Sequence, residues 1–301
     1  MTHLRGVLCI IAGAASYGVL ATGVKLANLQ GHHTAVLTFF QFLFGAAALS
    51  LAVRFGDRRP SPTPTADPHA RRTLLLYGTS LGFTSCFYYL SLRYVPVSIA
   101  IILLMQTIWM GTVLEMILTR SRPERLKTVG SLVVLVGTAL AVNIFDNLDA
   151  LDPLGVAYGL LASMAYTVTL LASNKVAVEL PDVVRSKYLV LGGFVTILLF
   201  WNVQIVRHFH LDDVPLLLYG LFLAVFGTIL PPVLFSRGFP VVGVGIGSIL
   251  AAVEIPVSIL SANVLLDEQV RAIQWIGVGI IILSVVLINY QHLRRETKLI
   301  S

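Results

Sequence analysis

A single carboxylate, Glu254, interrupts an apolar stretch that runs from Gly245 to Leu266 and is long enough to cross a bilayer. An ionisable group at bilayer depth is costly and often marks a transport pathway or a coupling site. At helical spacing, one face of this stretch collects small and polar residues, namely Gly247, Ala251, Glu254, Ser258 and Ser261. Because lipid tails offer Glu254 no partner, we expect this face to point into a helix bundle.

Three roles suit Glu254, and the residue types alone leave all three open. It could bind a substrate amine, carry a coupling proton, or hold the bundle together through a hydrogen bond between helices. Apolar surroundings favour the neutral carboxylic acid, which is the form that a proton carrier needs near neutral pH. Pro256, two residues later, removes a backbone donor, so a structural role for the pair is equally reasonable.

The composition is that of a polytopic membrane protein. Of 301 residues, 56% are hydrophobic and only 12% are charged, whereas soluble domains average about 25% charged residues. The apolar residues fall into ten segments, at 4–26, 35–55, 73–92, 97–119, 126–144, 153–175, 187–206, 214–236, 243–266 and 271–290. We therefore predict an all-α integral membrane protein with ten transmembrane helices and membrane lipid as its surroundings.

The basic residues predict the orientation of these helices. With the N-terminus in the cytoplasm, all of the 21 Lys and Arg residues except Lys25, Arg93, Arg207 and Arg271 fall at cytoplasmic ends. Both termini are then cytoplasmic. The net charge of +6 is a topology signal on this interpretation, and no nucleic-acid partner is expected.

The chain also repeats itself. The segment from Gly6 to Tyr17 resembles the segment from Gly155 to Tyr166, at an interval of about 149 residues. This predicts two five-helix halves, 1–150 and 151–301. Because five is odd, the halves must enter the membrane from opposite sides, and such inverted repeats are typical of transporters with a substrate site near mid-membrane.

The ninth segment carries a family resemblance. The run Ser248-Ile-Leu-Ala-Ala-Val-Glu254, followed by Asp267-Glu268 and Gln274-Trp-Ile-Gly277, resembles the EamA-type permeases of the drug/metabolite transporter superfamily, and Gly227-Thr-Ile-Leu-Pro231 fits the same pattern. Two departures are Pro256, displaced by one position from the family's Glu-Pro pair, and the first half, which has Gln106, Thr107 and Trp109 in place of a deep acid.

The resemblance covers essentially the whole chain and implies a function. Bacterial members of the superfamily are mostly exporters of amino acids and other small metabolites. Helices one, three, four, six, eight and nine line their central cavity. By this resemblance, Ser248 and Glu254 belong to a substrate or coupling site.

Several other residues are candidates for the same site, each with a structural alternative. Tyr17 and Tyr166 are related by the repeat and lie at mid-helix, where a hydroxyl needs a partner. Tyr88 could line the cavity or belong to an interfacial aromatic belt, and Gln106 and Trp109 could form one cavity wall. Gln41 is a weaker candidate.

Glu115 could take part in coupling, or it could snorkel towards the basic residues at its end of the helix. Pro231, Pro232 and Pro256 should bend helices eight and nine, which makes them candidate hinges.

No enzymatic, cofactor or metal site is expected. All seven histidines fall in loops or at membrane edges, and no phosphate-binding glycine loop is present, so ATP is not the energy source within this chain. We predict a secondary transporter of the plasma membrane, the bacterial inner membrane, that exports a small metabolite, with protons as the candidate coupling ion. The alternatives are an uncoupled facilitator or exchanger, and a membrane protein that modifies or flips lipids.

Overall fold

The computed structural model describes residues 2–55, 68–95, 97–120, 125–141, 152–209, 213–267 and 270–300. These residues are helical apart from short turns and caps. The helices are α1 (His3–Leu29), α2 (Thr34–Phe55), α3 (Pro68–Ser91), α4 (Val97–Leu104), α5 (Thr107–Thr119), α6 (Arg125–Ala141), α7 (Pro153–Lys175), α8 (Asp182–Phe200), α9 (Asn202–His208), α10 (Val214–Leu223), α11 (Leu230–Val242), α12 (Val244–Ala251), α13 (Glu254–Leu266) and α14 (Ala272–Ile300), with a π-helical segment at Ala224–Ile229 between α10 and α11.

Seven stretches of the described chain are long and apolar enough to cross a membrane. They are α1, α2, α7, α8, and three pairs of consecutive helices: α4 with α5, α10 with α11, and α12 with α13. Every predicted segment coincides with helix, although residues 142–144 lie outside the described part. The predicted count of ten crossings and the side of each terminus remain predictions.

Two pairs of helices repeat at an interval of 147 residues. Helices α4 and α12 each have eight residues, and α5 and α13 each have 13. Both pairs are interrupted at the same place, after Leu104 and after Ala251, and both end at a residue with φ of +51°, Arg120 and Asp267. The two halves thus share local backbone detail as well as helix order.

The halves pack into one core. Helix α1 of the first half packs against α11, α12 and α13 of the second, while α3 packs against α7 and α8, and α6 against α14. Gly18 allows the close approach of α1 to α13, because a Cβ there would lie 2.7 Å from the carbonyl oxygen of Glu254. Tyr166, Phe235 and Ile255 contribute to the buried cluster at this contact.

Candidate functional site

A break between α12 and α13 positions Glu254 as the first residue of a new helix. Pro256 has no N–H to donate to the carbonyl of Ala252, and its ring clashes with a carbonyl one turn back. The chain turns tightly instead. The N–H of Ala252 donates to Ile249 O at 3.1 Å, and the N–H of Ile255 donates to Ala252 O at 3.1 Å. Glu254 therefore projects from an interruption and not from a continuous helix.

Glu254 lines a cavity between the two halves of the chain. Helices α1, α2, α3 and α4 contribute from the first half, and α7, the π-helical segment and α13 from the second. Its polar lining residues are Tyr17, Gln41, Thr84, Ser85, Tyr88, Tyr89, Tyr166 and Glu254. Among the predicted site residues, the structure brings Glu254, Tyr17, Tyr88 and Tyr166 together.

The buried oxygens of this cavity are not fully paired. Within the described chain, neither Glu254 Oε2 nor the hydroxyl of Tyr166 has a hydrogen-bond partner, and Tyr166 is only 3% exposed. Tyr17 packs edge to face on Tyr166 with ring centroids 6.0 Å apart. Tyr17, Tyr88 and Tyr166 all lie within electrostatic reach of the Glu254 carboxylate. Unpaired buried oxygens are unfavourable in a closed protein, so the arrangement suits a ligand that supplies donors.

Two further cavity residues, Gln41 and Tyr89, carry only a weak signal in the sequence. Gln41 is 2% exposed and Tyr89 is 6% exposed, and the hydroxyl of Tyr89 lies 3.5 Å from Gln41 Oε1, which is long for a hydrogen bond. The available signal was the position of Gln41 in the middle of an apolar helix. Tyr89 resembles an ordinary belt aromatic in sequence, so only its packing among residues of α1, α2 and α10 reveals its burial.

The π-helical segment also reaches the cavity. Gly227 lines it, and the hydroxyl of Ser16 donates to the carbonyl of Phe226 at 2.7 Å. Such segments are often found at functional sites because they alter the backbone hydrogen-bond pattern. Pro231 and Pro232 follow at the start of α11, which continues directly from this segment, so they have no N–H to donate to its carbonyls. They flank the irregular segment, as the hinge hypothesis requires, but hinge motion stays a prediction.

Gln106 and Trp109 do not form a wall of this cavity. The Gln106 amide donates to Ile102 O at 3.0 Å, and the indole N–H of Trp109 donates to Gln106 Oε1 at 2.8 Å. The break between α4 and α5 leaves the carbonyl of Ile102 without its usual backbone donor, because the N–H of Gln106 donates to Leu103 O. This pair completes the hydrogen bonding of the interrupted helix, and Trp109 is 41% exposed. A substrate or coupling role for the pair stays a prediction.

Ser248 and Glu115 also lie away from the cavity lining. Ser248 is fully buried, and its hydroxyl donates to the carbonyl of Gly245 at 2.9 Å and lies 3.4 Å from Ile108 O. It therefore packs α12 against α5. The Glu115 carboxylate lies near Gly243 at the start of α12. A binding or coupling role for either residue would have to act from outside this cavity.

The repeat places Thr107 where the second half has Glu254, since both open the second helix of a broken pair. Thr107 is fully buried, and its hydroxyl pairs with that of Thr167 on α7 at 2.8 Å. The first half thus uses this position for helix packing, whereas the second half presents a carboxylate to the cavity. The two halves therefore share the backbone arrangement at this position but differ in the side chain that it carries.

The described residues contain no group of three or more His, Cys, Asp or Glu side chains that could hold a metal ion. The rings of His33 and His208 stack with centroids 4.0 Å apart at the turn before α2. Burial lowers the pKa of His33, and the nearby His208 and Arg93 lower it further. These surroundings favour the uncharged form of His33, which packs at this end of the bundle.

Comparisons with known proteins agree with this architecture. The model of the EamA-like transporter family matches residues 4–143 and again residues 153–290. A search of curated proteins finds no significant match. Among solved structures, 28 chains match, and one titled only as a protein crystal structure has a TM-score of 0.73 at 16% identity, covering 95% of this chain and 98% of its own. At that identity the likeness concerns the fold alone.

Proposed function

Because the chain belongs to the EamA-like transporter family, with both halves matched, we propose that it is a secondary transporter that exports a small metabolite by alternating access. The family makes it a multi-pass membrane transporter of the drug/metabolite type with a small-molecule substrate. The finer points are our proposal: an amino acid or similar metabolite with an apolar or aromatic part, outward movement, and residence in the plasma membrane, as a bacterial inner-membrane protein.

One observation carries the proposal. Glu254 Oε2, unpaired within the described chain, faces a cavity built from helices of both halves. A site between two inverted repeats near broken helices is where substrate and coupling ions bind in many secondary transporters. The tyrosines around it offer large apolar faces with polar tips, which suits a cargo with an aromatic or branched part.

The helix breaks supply the movement. In the proposed cycle the cavity opens to the cytoplasm, substrate binds beside Glu254, and one half rocks against the other until the cavity faces outward. The interruptions at Ala252 and Val253, and the π-helical segment before Pro231, are points where backbone hydrogen bonds are already rearranged. Such points absorb backbone changes at low cost.

Glu254 also supplies the proposed coupling. A carboxyl group that releases its proton to one side of the membrane and takes up another from the opposite side links substrate movement to the proton gradient. Purified protein in proteoliposomes should exchange labelled phenylalanine, a representative aromatic cargo, and an imposed pH gradient should drive its accumulation. Exchange that is indifferent to the gradient would identify an uncoupled facilitator, and turnover of a lipid by the protein in detergent would identify an enzyme.

The first prediction concerns Glu254 itself. Glu254→Gln and Glu254→Ala should each reduce transport at least tenfold, because a neutral amide neither titrates nor compensates a cation, while membrane abundance stays unchanged. Glu179→Gln, at an exposed acid in the turn between α7 and α8, is the matched control and should transport normally. Normal transport by Glu254→Gln would end the titrating role.

A further inference from the structure

We propose that the cavity selects an organic monocation, an amine or quaternary ammonium with an aromatic body, over the zwitterionic amino acid of the same shape. This inference rests on the proposed transport function and narrows its substrate class, from amino acids and similar metabolites to the amines and quaternary ammonium ions among the latter. Its basis is the charge inventory of the cavity. The described lining residues include one carboxylate, Glu254, four tyrosines and one glutamine, and they include no Lys, Arg or His.

The tyrosine rings suit a cation. Tyr17 and Tyr166 pack edge to face at 83°, and Tyr88 and Tyr89 are tilted by 48° with centroids 6.1 Å apart, so the four rings are oriented in different directions. The face of an aromatic ring carries negative potential, and rings in several orientations around one point attract ammonium groups. Glu254 Oε2, which has no partner in the described chain, provides the opposite charge at the same place.

A substrate carboxylate finds the opposite conditions. It would disfavour the ionised form of Glu254, because like charges in a poorly solvated space repel strongly, whereas a substrate cation favours that form. Its only neutral donors would be hydroxyls and the amide of Gln41, the side chain that lies 3.5 Å from Tyr89. The cavity as built therefore favours a ligand that carries a positive charge alone.

The nearest described cation along α1 lies outside the cavity lining. Lys25 lines an adjoining pocket that shares Ala21 and Val24 with the cavity. Gly18 of α1 touches the backbone of Glu254, and Lys25 lies seven residues further along, about 10 Å at 1.5 Å per residue. Lys25 therefore belongs to a neighbouring space and is not among the described residues that line the cavity around Glu254.

The test compares ligands that share one ring and differ only in charge. Binding to the purified protein in detergent is measured by titration calorimetry for phenethylamine, trimethylphenethylammonium, L-phenylalanine and 3-phenylpropionate. The two cations should bind at least tenfold more tightly than phenylalanine, which corresponds to about 1.4 kcal/mol, and 3-phenylpropionate should not bind. The quaternary ion carries its charge at every pH and does not leak through lipid as a neutral base, so it also serves in proteoliposome exchange.

Variants test the contribution of the Glu254 carboxylate separately from that of the Tyr166 ring. Glu254→Gln should weaken binding of both cations at least tenfold, whereas Glu179→Gln should not. Tyr166→Phe keeps the ring and should bind the quaternary ion within about threefold of the original protein, while Tyr166→Leu removes the ring and should weaken it about tenfold. If the leucine variant fails to fold, Tyr166→Phe still tests the inference, because a loss larger than about threefold would contradict a role for the ring alone.

The outcomes distinguish this inference from the proposed function. Phenylalanine binding as tightly as phenethylamine, with exchange in proteoliposomes, would overturn the inference and leave transport intact. Cation binding that is unaffected by Glu254→Gln would also overturn it. Binding of the cations without exchange of any of the four compounds would support the inference about the site and contradict the proposed transport of such cargo.

Discussion

Arg185 shows how a buried charge can be structural in this bundle. It is 1% exposed and the largest of the fully buried side chains. Its guanidinium donates to the carbonyls of Ala172, Ser173 and Val176 at the end of α7, at 3.3, 2.7 and 3.0 Å, and also to the carbonyl of Ser236 in α11. The last carbonyls of a helix lack intrahelical donors and carry partial negative charge. One planar side chain therefore closes α7 and fixes it to α11.

Replacing this side chain should reveal its role. Arg185→Lys keeps the charge, but a single ammonium cannot reach four carbonyls arranged for a fork, so at least one becomes unpaired. We expect a loss of about 2 kcal/mol in stability, seen as a lower thermal midpoint in detergent. Arg237→Lys is the control, because Arg237 is 47% exposed in its ion pair with Asp182 at 2.8 Å, where such pairs contribute under about 1 kcal/mol. Equal midpoints for the two variants would contradict this account.

Among whole elements, the two interrupted helix pairs use different chemistry for the same shape. In the second half Pro256 enforces the break between α12 and α13. In the first half Trp109 occupies the repeat-equivalent position, and the Gln106 amide instead satisfies the carbonyl of Ile102 at 3.0 Å. A break preserved by two unrelated means suggests that interruption itself is needed, beyond any one residue.

Pro256→Ala should make this need measurable. Alanine restores a backbone donor and favours a continuous helix, so the thermal midpoint should rise while the transport rate falls severalfold. Pro153→Ala is the matched control, since Pro153 is the first residue of α7, where proline is ordinary, and both quantities should stay near those of the original protein. If Pro256→Ala transports at full rate, the break has no part in the cycle.

For the whole molecule, the sequence predicts the features that follow from the thickness of the bilayer, such as segment length and repeat. It does not predict the features that depend on individual hydrogen bonds. The depth of Glu254 and the repeat that relates Tyr17 to Tyr166 follow from segment length and periodicity, and the predicted family membership is confirmed. The role of Gln106 could not be predicted, because no proline announces the break before α5. Arg185 looks like a cytoplasmic topology residue in sequence, since nothing local indicates which carbonyls it will meet.

The proposed inverted arrangement also has a direct test. His32 and Asp213, which the predicted topology places on the outer side, lie together, with His32 Nδ1 2.9 Å from Asp213. Asp182 and Arg237, which it places on the cytoplasmic side, form an ion pair. Gln30 and Glu179 are exposed residues that follow α1 and α7 at equivalent points of the repeat. If the halves are inverted, these two positions lie on opposite sides of the membrane.

Cysteine labelling tests whether the two halves are inverted. In a background with Cys9→Ser and Cys86→Ser, the Gln30→Cys variant should react with a membrane-impermeant maleimide added outside intact cells. The Glu179→Cys variant should react only after the membrane is opened. Reaction from outside at both positions would mean that the halves are parallel, and the cavity at Glu254 would then no longer lie between inverted repeats. Since alternating access as proposed depends on that symmetry, the same result would remove the mechanism as well as the topology.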